Sequence, residues 1–119
     1  DYLPISDVSN REEFLLKLAK SLKRMAEELN VPVIVISQLS KDVEKRRNKR
    51  PMLSDIRDFE PLEVYSDIIT MIYRDEYYNP ESEDRGIAEI IICKHRNGPL
   101  GTVKLLFEPQ YTRYRNLAD

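Results

Sequence analysis

Glycine is scarce in this chain. There are three glycines in 119 residues, all after position 85. That excludes a Gly-rich phosphate-binding loop within these residues. Cys93 is the only cysteine. A single thiol excludes an intramolecular disulfide and a Cys-based zinc site, suits a reducing cytoplasm, and reads as a buried, inert side chain. No apolar run approaches bilayer length and no signal peptide opens the chain, so no membrane association is expected. Charge of one sign is also missing. Nineteen Lys and Arg face 21 Asp and Glu, for a net charge of −2. The chain is no polycation, and any nucleic-acid contact must come from a local cluster. What is present is 41% hydrophobic and 34% charged residues. This suits one globular domain with one core rather than a disordered chain.

The densest apolar run is Val31-Pro32-Val33-Ile34-Val35-Ile36, which breaks off into Ser37-Gln38-Leu39-Ser40. β-branched residues without polar alternation predict a strand buried on both faces, as in a parallel sheet. Ligands in open α/β sheets collect beyond the carboxyl ends of strands. Gln38 stands there, either as a ligand contact or simply as a polar strand end. Ahead of it, Leu15, Leu18, Leu22, Met25, Ala26 and Leu29 recur at helical spacing. They predict an amphipathic helix from about Asn10 to Leu29, with a capping box at Ser9 and Glu12 and a left-handed cap at Asn30. Asp1, acidic and with no strand before it, reads as a cut through a larger domain.

Ser40 to Arg50 carries Lys41, Lys45, Arg46, Arg47, Lys49 and Arg50 and predicts a mobile basic loop, with a helical turn at Lys41 to Arg46. It either neutralises phosphates or is simply solvated. A helical turn near Ser54 gives way to irregular chain at Pro61. Asp67 to Tyr73 predicts a second buried strand. Arg74 to Arg85 reads as a surface loop. Ile87 to Cys93, Thr102 to Phe107 and Tyr111 to Tyr114 predict three more strands. Asn97-Gly98 joins the first two as a hairpin, which adds antiparallel strands to a parallel α/β core. Lys94 and Arg96 lie at its mouth, as plain surface cations or as a finger reaching a neighbouring subunit's nucleotide. A carboxylate such as Asp1 holds Mg²⁺ through water, and a strand-end glutamine senses a γ-phosphate.

These pieces occur in a fixed order. Asp-Tyr-Leu is followed by Leu-Asn-Val-Pro-Val-Ile-Val-Ile-Ser-Gln-Leu-Ser, then Lys-Arg-Pro-Met-Leu-Ser-Asp-Ile-Arg. Tyr-Arg-Asp-Glu-Tyr-Tyr-Asn-Pro-Glu-Ser-Glu and Lys-His-Arg-Asn-Gly-Pro-Leu-Gly-Thr-Val complete the set. Together they resemble the C-terminal part of the RecA-like motor domain of bacterial replicative DNA helicases of the DnaB type, over nearly the whole chain. The resemblance implies a partial P-loop ATPase core within a hexameric, ATP- and Mg²⁺-dependent ring. That ring unwinds DNA in the cytoplasm, grips single-stranded DNA, and has primase and a helicase loader as partners. By position, Asp1 matches the Mg²⁺-supporting aspartate and Gln38 the glutamine that links the γ-phosphate to the DNA loops. Lys94 and Arg96 match the pair inserted into the adjacent site, and Arg57 and Asp58 fall in the channel loop. Lys45, Arg46 and Arg47 are further DNA candidates from the basic loop.

Two residues depart from the family pattern. Glu60, followed by Pro61, replaces a glycine whose bareness allows close phosphate approach. His95 stands where glutamine is usual. The phosphate loop and catalytic glutamate are expected ahead of Asp1, so residues 1–119 alone are not expected to hydrolyse ATP. Two other readings remain open. One is a non-catalytic module that binds single-stranded nucleic acid or a partner. The other is a related RecA-type phage or organellar helicase.

Overall fold

A computed structural model describes residues 8–56 and 59–117. The chain forms two compact units. The first comprises the described residues within Asp1–Asp42 and Leu53–Ser66, and the second those within Val43–Met52 and Asp67–Asp119.

The first unit is helical. Helix α1 (Val8–Leu29) packs against the short helix α2 (Phe59–Tyr65). The inward stripe of α1 runs through Leu15, Ala19, Leu22 and Ala26, at four- and three-residue steps. It lies further round the helix than the leucine spacing suggests, because Leu18, Met25 and Leu29 are exposed. Helix is already present at Val8, so Ser9 lies inside α1 and is not its cap. The C-terminal cap is as expected. Asn30 has φ of 52°, and Val31 N–H donates to Ala26 C=O at 3.1 Å. That six-residue closure satisfies a carbonyl which the last turn leaves open. Pro61 does not make its segment irregular. It occupies the first turn of α2, where a missing N–H costs nothing.

The run from Val31 to Gln38 is the main departure from expectation. It pairs with no strand among the described residues, and the first bridge falls at Leu39, antiparallel to Ile56. Ile34 is 87% and Ile36 94% exposed, so the buried parallel strand is not formed here. β-branched residues fit a sheet only when a neighbouring strand supplies partners for their N–H and C=O groups, and none of the described residues does so.

The second unit is a four-stranded antiparallel sheet in the order β1-β2-β3-β4. Its strands are β1 (Ile68–Tyr73), β2 (Ile87–His95), β3 (Gly101–Glu108) and β4 (Arg113–Asn116). The hairpin predicted at Asn97-Gly98 joins β2 to β3. Strand β1 is not buried on both faces. Ile69, Met71 and Tyr73 point inward while Ile68, Thr70 and Ile72 alternate outward, the pattern of an antiparallel strand with one covered face. Ile72, Ile90 and Val103 stand opposite one another as a β-branched row across three strands. At the end of β2 the register slips. Ile69 faces Lys94 but Thr70 faces Ile92, so Cys93 is passed over as a bulge. Burial pushes its thiol pKa up, in keeping with an inert cysteine.

Residues 74–86 are more than a surface loop. A short helix, α3 (Asp75–Tyr78), opens the segment. Tyr73 Oη–H donates to Asp75 Oδ1 at 2.7 Å, and the buried Ser82 hydroxyl donates to the other oxygen. These bonds from Ser82 and Tyr73 hold the Asp75 carboxyl below its usual range. Burial, then the bond to Asp75, pushes the Tyr73 phenol up to about 12.

Candidate functional site

Two assemblies carry the predicted site residues, one in each unit. In the first unit, Gln38 is exposed at the end of the extended run. The chain immediately after it is fastened. Ser40 N–H donates to Asp55 C=O at 2.7 Å, and Leu39 bridges Ile56. Asp55 and Ile56 are 5% and 8% exposed. Ile56 is directly followed in sequence by Arg57 and Asp58. Those two residues, like Asp1, lie outside the described residues. Gln38 is therefore two residues from a hydrogen bond that reaches the stretch leading to the predicted channel pair. The described residues hold no group of three or more acidic, His or Cys side chains able to bind a metal ion.

In the second unit the β2–β3 hairpin carries Lys94 and Arg96. Lys94 is half-buried opposite Ile69, whereas Arg96 is exposed in the turn. Arg96 N–H donates to Asp67 C=O at 2.8 Å, and Arg96 Nη1 lies 2.7 Å from Asp67 Oδ1. His95 folds over the turn, with Nδ1 3.2 Å from Pro99 O. A Cβ built on Gly98 would collide with the His95 ring. The bare glycine leaves room for the His95 ring, which must swing aside for any side chain there. Gly98→Ala is expected to displace the ring, lose its contact with Pro99 and cost less than about 1 kcal/mol. Denaturant unfolding of the variant checks this, with His95 ring resonances reporting the displacement.

The basic loop is not the mobile, solvated segment that its composition predicts. A 3₁₀ turn spans Lys41–Lys45. Arg46 donates to the carbonyls of Asn48, at 3.3 Å, and Arg50, at 2.9 Å. Arg50 reaches across to β2 and grips Glu89 with two bonds, of 3.0 and 2.7 Å. Its guanidinium also lies 4.6 Å from the Tyr73 ring centre, and Lys49 Nζ lies 5.6 Å from that of Tyr78. Arg46, Lys49 and Arg50 are therefore engaged with the loop itself or with the sheet below it. Lys45 and Arg47 remain exposed. The sequence reading missed Glu89 and Asp67. Each is an acidic residue in or beside a strand, and only the strand register reveals its cationic partner.

A family model described as the DnaB-like helicase C-terminal domain matches residues 1–116. The replicative DNA helicase DnaB of Geobacillus stearothermophilus is 49% identical over 122 residues, covering 98% of this chain and 27% of that protein. The replicative DNA helicase DnaC of Bacillus subtilis (strain 168) is 48% identical, with the same coverage of each. The chain thus spans about a quarter of the length of these curated relatives. A solved ATPase domain superposes with a TM-score of 0.88 at 48% identity, over 98% of this chain and 40% of that one. A DnaB-like replicative helicase, solved with attention to its interactions with primase, gives a TM-score of 0.89 at 48% identity, over 98% of this chain and 28% of that one.

Proposed function

The chain belongs to the DnaB-like helicase C-terminal domain family, and from that premise we propose that it is the C-terminal portion of a RecA-like motor that unwinds duplex DNA at the replication fork. In this reading the motor is a homohexameric ring in the cytoplasm that encircles single-stranded DNA and works with primase and a loader. ATP and Mg²⁺ are its cofactors, and ATP when bound supplies the free energy of translocation. Gln38, Lys94 and Arg96 suit phosphate oxygens, as a neutral donor and two cations. Asp1 is the carboxylate that would support the metal, as the resemblance implies. A segment without a phosphate loop does not hydrolyse ATP by itself.

The observation that carries this reading is the fastening of Leu39 and Ser40 to Asp55 and Ile56. A side chain that meets a γ-phosphate at Gln38 moves a backbone hydrogen-bonded to the stretch that precedes Arg57 and Asp58. Phosphate occupancy and DNA grip are then two positions of one linked element. In the full-length protein, Gln38→Ala is expected to lower DNA-stimulated ATP hydrolysis about 10²-fold, with nucleotide binding retained. Hydrolysis measured with and without single-stranded DNA tests it. Unchanged stimulation would exclude the linkage. Exposure of Lys45 and Arg47 favours a second reading, a non-catalytic nucleic-acid contact, which requires binding that weakens steeply with salt.

A further inference from the structure

The hairpin mouth is fastened twice to the residue just ahead of β1. Arg96 N–H donates to Asp67 C=O at 2.8 Å, and Arg96 Nη1 lies 2.7 Å from Asp67 Oδ1. Main chain holds main chain and side chain holds side chain between the same two residues. The two side chains are 46% and 50% exposed. An ion pair so open to water adds little to folding stability, so its value must be sought in geometry. A long arginine side chain has many rotamers, and fixing it beforehand removes that ordering cost from a later encounter with an anion. A single Nη1–Oδ1 contact also engages only one edge of a planar fork that carries five N–H donors.

We infer that Asp67 is a positioning residue for Arg96. Its carboxylate holds the guanidinium extended at the hairpin mouth, ready for the phosphates of a nucleotide bound by a neighbouring subunit. The inference rests on the finger reading of Arg96 given above. Asp67 acts through Arg96, by placing its guanidinium rather than by meeting the nucleotide. Proximity and orientation are steep terms in a rate, and a small misplacement of a charged group is costly.

The test is made in the assembled full-length protein. Asp67→Asn keeps the size of the side chain and the backbone carbonyl but removes the charge. It is expected to lower kcat about tenfold with KM changed less than about twofold. Asp67→Glu, which restores the charge, is expected to recover most of the loss. In an Arg96→Ala background Asp67→Asn should cost nothing further, since the two act as one unit. A readout independent of turnover is the Arg96 guanidinium nitrogen resonance without nucleotide. It is expected to broaden or shift in Asp67→Asn and to be restored in Asp67→Glu. The Arg96 amide should stay protected from hydrogen exchange in the Asn variant, because its acceptor is the carbonyl. Loss of that protection in Asp67→Asn would mean that the carboxylate holds the hairpin mouth itself rather than aiming Arg96, and would overturn the positioning role.

Losses that add to those of Arg96→Ala, or a full kcat in Asp67→Asn, overturn the positioning role and leave the finger reading standing. Full turnover in Arg96→Ala itself overturns the finger reading, and the positioning role falls with it.

Discussion

Arg96→Ala in the full-length protein is expected to lower kcat for ATP hydrolysis about 10³-fold, the lower end of what a finger supplied in trans contributes to phosphoryl transfer. The charge that develops on the equatorial oxygens needs a rigid cation aimed at it, and a finger delivers one only when the neighbour is in place. Of the two cations on this hairpin, Arg96 has the better geometry. It is exposed in the turn, whereas Lys94 is half-buried opposite Ile69. Arg96→Lys keeps the charge but loses the planar fork, so only part of the rate should return. Steady-state hydrolysis checks both variants. Mixed rings give the sharper measurement. Subunits lacking Arg96 should be rescued by neighbours that carry it but cannot bind nucleotide themselves. Turnover unaffected by the alanine would remove the hairpin from the nucleotide site.

The second large effect is on stability. Arg50→Ala is expected to destabilise the chain by about 2–3 kcal/mol, and Glu89→Ala by less than about 1.5 kcal/mol. The asymmetry follows from exposure. The Glu89 side chain is 9% exposed, whereas that of Arg50 is 43% exposed. Losing the arginine strands a carboxylate in the covered face of the sheet. It also removes the cation stacked on Tyr73, at 4.6 Å from the ring centre. Losing the glutamate releases a guanidinium that can return to water. An apolar replacement of both partners should recover most of the loss. Urea unfolding of the two single variants and the pair measures all three values. Equal costs for the two alanines would contradict this account of the clamp.

The parts of the fold that were legible in the sequence are those that neighbouring residues decide. The end of α1 could be read because Asn30 tolerates positive φ and Pro32 blocks continuation. The hairpin could be read because Asn97-Gly98 breaks the chain between two strand-forming runs, although neither residue takes the positive φ of a two-residue turn. The Val31–Ile36 run was misjudged for the opposite reason. Its residues advertise a strand, but burial depends on a partner that no local pattern supplies, and Ile34 and Ile36 face solvent instead. The basic loop was misjudged similarly. Arg50 looks like one more solvated cation until Glu89, 39 residues away, is brought beneath it. Strand β1 was recognised as a strand, but its alternating burial shows in the structure and not in its apolar sequence Ile-Ile-Thr-Met-Ile-Tyr. Gln38 was nominated by its place after an apolar run, Lys94 and Arg96 by theirs at the hairpin mouth, and motif order joined them. Asp67 carries no signal of its own and emerges only once the register sets it beside the turn.

The slip at Cys93 bears on how this hairpin tolerates change. Ile92 shares a face with Thr70, while Lys94, two positions on, shares the opposite face with Ile69. One supernumerary residue has reversed the parity of the strand just before its tip. Side chains there can be exchanged with graded consequences, but the number of residues cannot. Were the bulge straightened, Lys94 would turn from the covered face it shares with Ile69 to the open face of Ile92 and Thr70, and the cationic end would be presented the other way.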